Sequence, residues 1–146
     1  MKRLNLPEVE FKIREKEDSH EIFDIVRKKY IAITPEEWVR QHFIHYLISY
    51  LNYPRSLITV ESGLKYNTLL KRSDIITYDS LGKPFLLVEC KSFKVPVNQK
   101  TLNQATMYNK SILARYLIIT NGIKHYCYQH SDGTYSTLRE VPPYSG

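Results

Sequence analysis

Cysteine is scarce: only Cys90 and Cys127 occur among 146 residues. A small secreted fold stapled by disulfides carries more of them, so a cross-linked extracellular scaffold is excluded. No apolar run nears the ~20 residues that span a bilayer, and the N-terminus alternates charged with apolar residues instead of presenting a leader. The expectation is a soluble, reduced, cytoplasmic protein. A Gly-x-x-x-x-Gly-Lys-[Ser/Thr] nucleotide loop is also missing, so the chain is not by itself a translocating motor. Repeats, linkers and low-complexity stretches are absent, which leaves one domain over 1–146 as the simplest organisation.

What is present fits that size class, since 146 residues can bury one full core. Lys and Arg outnumber Asp and Glu by 21 to 15, a formal charge of +6 that suits an anionic partner such as nucleic acid. The stretch Glu8–Arg14 alternates polar and apolar residues, Lys16–Ser19 reads as a turn, and Ile22–Ile33 looks extended, so 1–33 is expected to form a β arm or hairpin. Thr34-Pro35-Glu36-Glu37 is a helix start: a cap, a proline at the first turn and a capping-box acid. The helix carries Trp38, Ile44, Leu47, Ile48 and Leu51 as a stripe and should stop near Asn52, ahead of Pro54. Strands are expected at Leu57–Glu61, Ser73–Tyr78 and Phe85–Lys91, a second helix at Gln99–Leu113, and two more strands at Arg115–Thr120 and Ile123–Tyr128 around the turn pair Asn121-Gly122.

The chemistry sits in Phe85-Leu86-Leu87-Val88-Glu89-Cys90-Lys91. Four consecutive apolar residues describe a strand covered on both faces, and a buried strand ends in charge only where that charge is paired. Glu89 and Lys91 share one face and Cys90 takes the other. With a two-residue Leu81-Gly82 loop, Ser80 pairs with Lys83, and the hairpin so registered sets Asp74 opposite Glu89; a bulge at Gly82 would shift this by one. Opposed carboxylates lie ~5 Å apart and repel unless something positive joins them. A hard divalent cation such as Mg²⁺ does this while accepting a phosphate oxygen. Lys91 beside it can orient or deprotonate a water and steady developing negative charge. A surface Glu-Lys pair at a strand end is the plainer alternative, and Glu-x-Lys alone is a weak motif.

The set Asp74…Glu89-Cys90-Lys91 resembles the PD-(D/E)XK nuclease motif. Thr34–Gln41, Arg72-Ser73-Asp74-Ile75 and Leu87–Lys91 together resemble the N-terminal nuclease domain of type I restriction enzyme R (motor) subunits. Gln104-Ala105-Thr106-Met107-Tyr108 is similar to the Gln-x-x-x-Tyr element that follows the core in that group and in RecB-like nucleases, and Ile118–Gly122 resembles its last core strand and turn. The likeness covers roughly residues 34–129, leaving 130–146 as a tail. It implies an α/β restriction-endonuclease-like fold, a mixed sheet flanked by helices in αβββαβ order. It also implies DNA cleavage with Mg²⁺ or Mn²⁺, with Asp74 and Glu89 as metal ligands, Lys91 as the catalytic lysine, and a separate motor or methylase subunit as a possible partner. Ser73 stands where the motif's name has proline. A catalytically silent DNA- or protein-docking module and a Holliday-junction-type resolvase share the same core and are the alternatives.

Other residues have two readings each. Gln104 and Tyr108 share a helix face and either reach substrate or pack on the sheet. Glu37 either closes the cap with Thr34, the favoured role, or adds a ligand to the metal. Arg40 either contacts phosphate or pairs with an acid. His42 and His45 lie three apart, but no further zinc ligand stands out. Cys90 is a small apolar filler. Tyr126 and Tyr128 either stack on bases or serve strand propensity. Lys65, Lys71, Arg72, Lys94 and Lys100 are candidates for a phosphate-binding rim.

Overall fold

The structure, a computed structural model, describes residues 2–62 and 73–146. Its centre is a six-stranded mixed sheet in the order β4-β5-β6-β7-β8-β9, formed by Ile58–Ser62, Ser73–Tyr78, Pro84–Cys90, Tyr116–Thr120, His125–Ser131 and Thr134–Leu138. Among the described strands only β6 and β7 pair in parallel. The helix between them, α2 (Gln99–Ile112), is the crossover that a parallel pair requires. Helix α1 (Pro35–Ser49) precedes the sheet. A separate antiparallel sheet of β1 (Ile13–Lys16), β2 (Ser19–Asp24) and β3 (Lys29–Ala32) precedes α1. The helix-three strands-helix-strand core and the restriction-endonuclease-like α/β class expected from the sequence are therefore present.

Two apolar layers cover the two sheet faces. On the α1 side, Val39, Phe43, Ile44 and Leu47 pack on Ile75, Leu86, Val88, Cys90 and Ile118. On the α2 side, Ala105 and Tyr108 pack with Ile76, Leu87, Leu117 and Ile119. Strand β6 thus buries both faces, which is why it reads as an unbroken apolar run. The α1 start is as expected: the Thr34 hydroxyl accepts from the Glu37 amide at 3.0 Å, with Pro35 in the first turn. The Glu37 side chain turns elsewhere and does not close a capping box. Helix α2 has the reciprocal box instead, between Asn98 and Thr101.

The β5–β6 hairpin reaches the expected register by another route. Its loop holds three residues, Ser80-Leu81-Gly82: the Asp79 amide donates to the Lys83 carbonyl, and Gly82 takes φ +80°, open to glycine without strain. That extra loop residue shifts the pairing by one, to Tyr78 with Pro84. Phe85 is then skipped, and Thr77 pairs with Leu86, Ile76 with Leu87 and Ile75 with Val88. A β-bulge sets two residues of one strand against one of the other, and here both Phe85 and Leu86 enter the α1-side core. The two offsets cancel.

Two other segments differ from expectation. In the arm, Glu8–Ile13 stays outside the strands except for its last residue, and the extended region splits into β2 and β3. The segment expected as a tail contributes β9, paired to β8 from Cys127–Leu138 to Ser131–Thr134, and its Val141 enters the core. The Asn121-Gly122 turn exists, but β7 and β8 close at Thr120–His125, a four-residue loop. Gly122 has φ +86°, and a Cβ there would meet Leu4 side-chain carbons at 2.9–3.0 Å, because the N-terminal segment lies across the hairpin.

Candidate active site

Strand β5 begins beside the end of β6, and the register that pairs Ile75 with Val88 puts Asp74 next to Glu89 one step on. Both share the face of Ile76 and Leu87, the α2 side. Neighbouring strands hold such side chains ~5 Å apart at Cβ. Each residue is only 1 % exposed. Lys91 follows directly: its amide continues the parallel ladder to the Thr120 carbonyl at 2.8 Å, and its Nζ lies 3.7 Å from Glu89 Oε1. The ammonium is partly exposed, so it stands between the buried acids and solvent. The structure thus brings together the three residues singled out from the sequence.

Two buried carboxylates in one place, with an ammonium at their edge, form an oxygen donor set for a hard cation. Magnesium is commonly held by one or two carboxylates, with waters and substrate phosphate filling its other positions. Asp74 and Glu89 meet that minimum. Among the described residues no group of three or more His, Cys, Asp and Glu gathers.

Glu37 and Arg40 take part in a hydrogen-bonded set that joins α1 to the N-terminal sheet. Glu37 accepts from Arg40 at 2.7 Å on one oxygen, and from Arg27 at 2.7 Å and Gln41 at 2.9 Å on the other. Arg40, 2 % exposed, also donates to Glu36 at 2.8 Å. Asp24 accepts from the Arg27 guanidinium and from Gln41. Burial by itself would raise the Asp24 carboxyl, but bonds from the Arg27 backbone, from Gln41 and from the Arg27 guanidinium overcome it and hold the group below the ordinary range. The sequence reading missed Asp24, Arg27 and Gln41. The spacings Asp24–Arg27 and Glu37–Gln41 were visible, but nothing local joins the arm to the helix.

The remaining candidates divide. Tyr108 is buried over the Glu89 face of the sheet and Gln104, one turn earlier, is half-buried. His42 and His45 pack edge-on against Phe11 at 4.9 and 5.1 Å, and burial lowers both imidazoles, as satisfied helix histidines behave. Cys90 is buried on the face opposite Glu89, and burial pushes its thiol up. Lys94 and Lys100 are exposed, whereas Lys65, Lys71 and Arg72 lie outside the described residues.

The family model described as Type I restriction enzyme R protein N terminus matches residues 35–142, from α1 through β9. The chain belongs to this family. No curated protein and no solved structure matches it. The R-protein N-terminal match takes in Asp74, Glu89, Lys91, Gln104 and Tyr108, and it continues past 129 through β9, in keeping with the pairing of that strand. Among the described residues of this R-protein domain no helix is long and apolar enough to cross a membrane.

Proposed function

We propose that the chain hydrolyses DNA phosphodiesters in the presence of Mg²⁺ or Mn²⁺, as the restriction-type nuclease part of an R-protein system in which motor and methylase functions reside elsewhere. The observation that supports this most is the pair of 1 %-exposed carboxylates, Asp74 and Glu89, on one sheet face with the Lys91 ammonium 3.7 Å from Glu89. Asp74 and Glu89 would hold the cation, and a cation so held supplies Lewis-acid polarisation of the phosphoryl oxygen and an acidified water.

The chain's own contribution is positioning and charge. The β5–β6 ladder fixes the two carboxylates relative to each other, and α2 packs on the same sheet face through Ala105 and Tyr108. Lys91 projects from the strand end toward solvent, where it orients the attacking water and steadies charge that grows on the phosphoryl oxygens. Gln104 and Tyr108, on the helix over the same face, are placed to position substrate. Arg40 acts through Glu36 and Glu37 as a support for α1.

The test is a divalent-ion titration with plasmid DNA. The wild-type protein should cut only with Mg²⁺ or Mn²⁺, and Lys91→Ala should slow single-turnover cleavage about 10²–10³-fold, the scale of losing one charge-stabilising donor. No cleavage by the wild type, or equal cleavage by the variant, refutes the proposal.

A further inference from the structure

The row of the sheet that carries the two acids continues across the molecule. Glu89 pairs with Ile119 in β7, and Ile119 pairs with Tyr126 in β8. All of these share one face, because Tyr126 and Tyr128 alternate with Cys127, which enters the α1-side core. Beside the row, between β8 and the start of α2, lies an open cleft of about 210 Å³. Ile119 floors it, Val97 and Leu102 wall it, and Tyr126 and Tyr128 form its outer side. Tyr128 also packs on the α2-side core, but Tyr126 is 38 % exposed, so much of its ring faces solvent. Strand propensity explains a tyrosine in β8. It does not explain an exposed ring at the rim of a cleft that joins Val97, Leu102 and Ile119 with the polar Asn98 and Gln99, in line with two buried carboxylates.

We propose that Tyr126 is a stacking platform for one unpaired nucleobase of the DNA strand whose phosphate is cut at Asp74 and Glu89. This rests on the nuclease reading and adds the subsite that holds the strand. A planar, apolar-faced group with a polar edge suits an open cleft walled by Val97 and Leu102, edged by Asn98 and Gln99 and faced by a tyrosine ring. A phenol ring accepts any base, because every base has a π-face. Two strand spacings of ~4.8 Å separate Glu89 from Tyr126, roughly 10 Å. That places the platform within reach of a base close to the scissile phosphate. The bound base is therefore expected in a single-stranded or frayed segment. Duplex DNA, whose bases are already stacked, gains nothing from the platform.

The probe is a fluorescein-labelled single-stranded DNA of defined sequence, bound in EDTA so that it stays intact, and cut separately with Mg²⁺ to locate the scissile bond. Tyr126→Ala should weaken binding about tenfold or more, the effect of removing one base–aromatic stack, and Tyr126→Phe should restore it. An abasic site moved along the strand should weaken wild-type binding at a position close to the cut, and should cost nothing further in Tyr126→Ala. The abasic scan uses the unaltered protein, so it decides the matter even if a variant misfolds. Wild-type binding and cleavage with a flat scan and an unaffected Tyr126→Ala overturns the platform and leaves the nuclease reading standing. Binding without cleavage of the single strand, with the abasic minimum, supports the platform as a base site, and the plasmid assay decides the nuclease reading separately. A wild-type protein that does not bind the single strand overturns the platform, and one that also leaves the plasmid uncut overturns both.

Discussion

Asp74 and Glu89 each occupy a position 1 % exposed on one sheet face, and like charges directly opposed on neighbouring strands repel. Lys91 offsets part of that repulsion from 3.7 Å, at the solvent edge. A ligand that binds only the folded state raises stability by about 2.7 kcal/mol at a hundred times its dissociation constant. Titrating Mn²⁺ into the wild-type protein should therefore raise its thermal unfolding midpoint by several degrees. Asp74→Asn and Glu89→Gln should each flatten that titration, because either change halves the donor charge while leaving shape and burial alone. A midpoint that rises equally in the wild type and both variants would place cation binding elsewhere. This readout needs no DNA, so it separates metal binding from cleavage.

Between elements, the join of greatest consequence is the one from the small N-terminal sheet to α1. Asp24 at the end of β2 bonds to Arg27 and Gln41, and Arg27 and Gln41 both bond to Glu37 on α1. Removing one member of such a buried set leaves the others undersatisfied, so Asp24→Asn should cost about 3 kcal/mol at neutral pH in a denaturant titration. The pH dependence has a definite sign. The folded-state Asp24 carboxyl lies below its ordinary value of 3.8, so its contribution is complete above that pH and disappears as pH falls below it. The difference between the wild type and Asp24→Asn should narrow in acid and stay constant from pH 5 to 7. A difference that widens in acid would contradict the assigned charge state. None of this join was legible in the sequence. The core elements were legible because their signals are local: the apolar run of β6, the Thr34-Pro35 start of α1, and the side-chain period that puts Glu89 and Lys91 on one face. The Asp24–Glu37 set depends on packing between segments that carry no shared pattern. Strand β9 was missed for a similar reason, since Thr134-Tyr135-Ser136-Thr137-Leu138 is mostly exposed and its two half-buried residues, Tyr135 and Leu138, fall on opposite faces, so no period-two pattern shows. The Asp74–Glu89 register was found with the wrong loop, and only the Phe85 bulge, invisible to pattern reading, restored it.

At the scale of the whole molecule, a charge of +6 draws the chain to polyanions without choosing a site. What chooses it is where exposed cations meet the acid pair. Lys94 lies three residues beyond Lys91 in the loop that leaves β6, and Lys100 lies in the first turn of α2, which that loop enters. The loop is held down by the Asn121 amide donating to the Val95 carbonyl at 2.8 Å, so its backbone is fixed beside the sheet end. Cations on an anchored loop can meet phosphates at set positions, whereas the same charges scattered over the surface only raise nonspecific affinity. For duplex DNA, each phosphate neutralised contributes about 0.9 to the slope of log affinity against log salt. Lys94→Ala and Lys100→Ala should each lower that slope by about 0.9 with duplex DNA in EDTA, and together by about twice that. Lys29→Ala, exposed on the separate small sheet, should leave it unchanged. Equal slopes in all three variants would mean that phosphate contacts lie away from the β6–α2 loop, and that the net charge acts as a diffuse field instead of a track leading to Asp74 and Glu89.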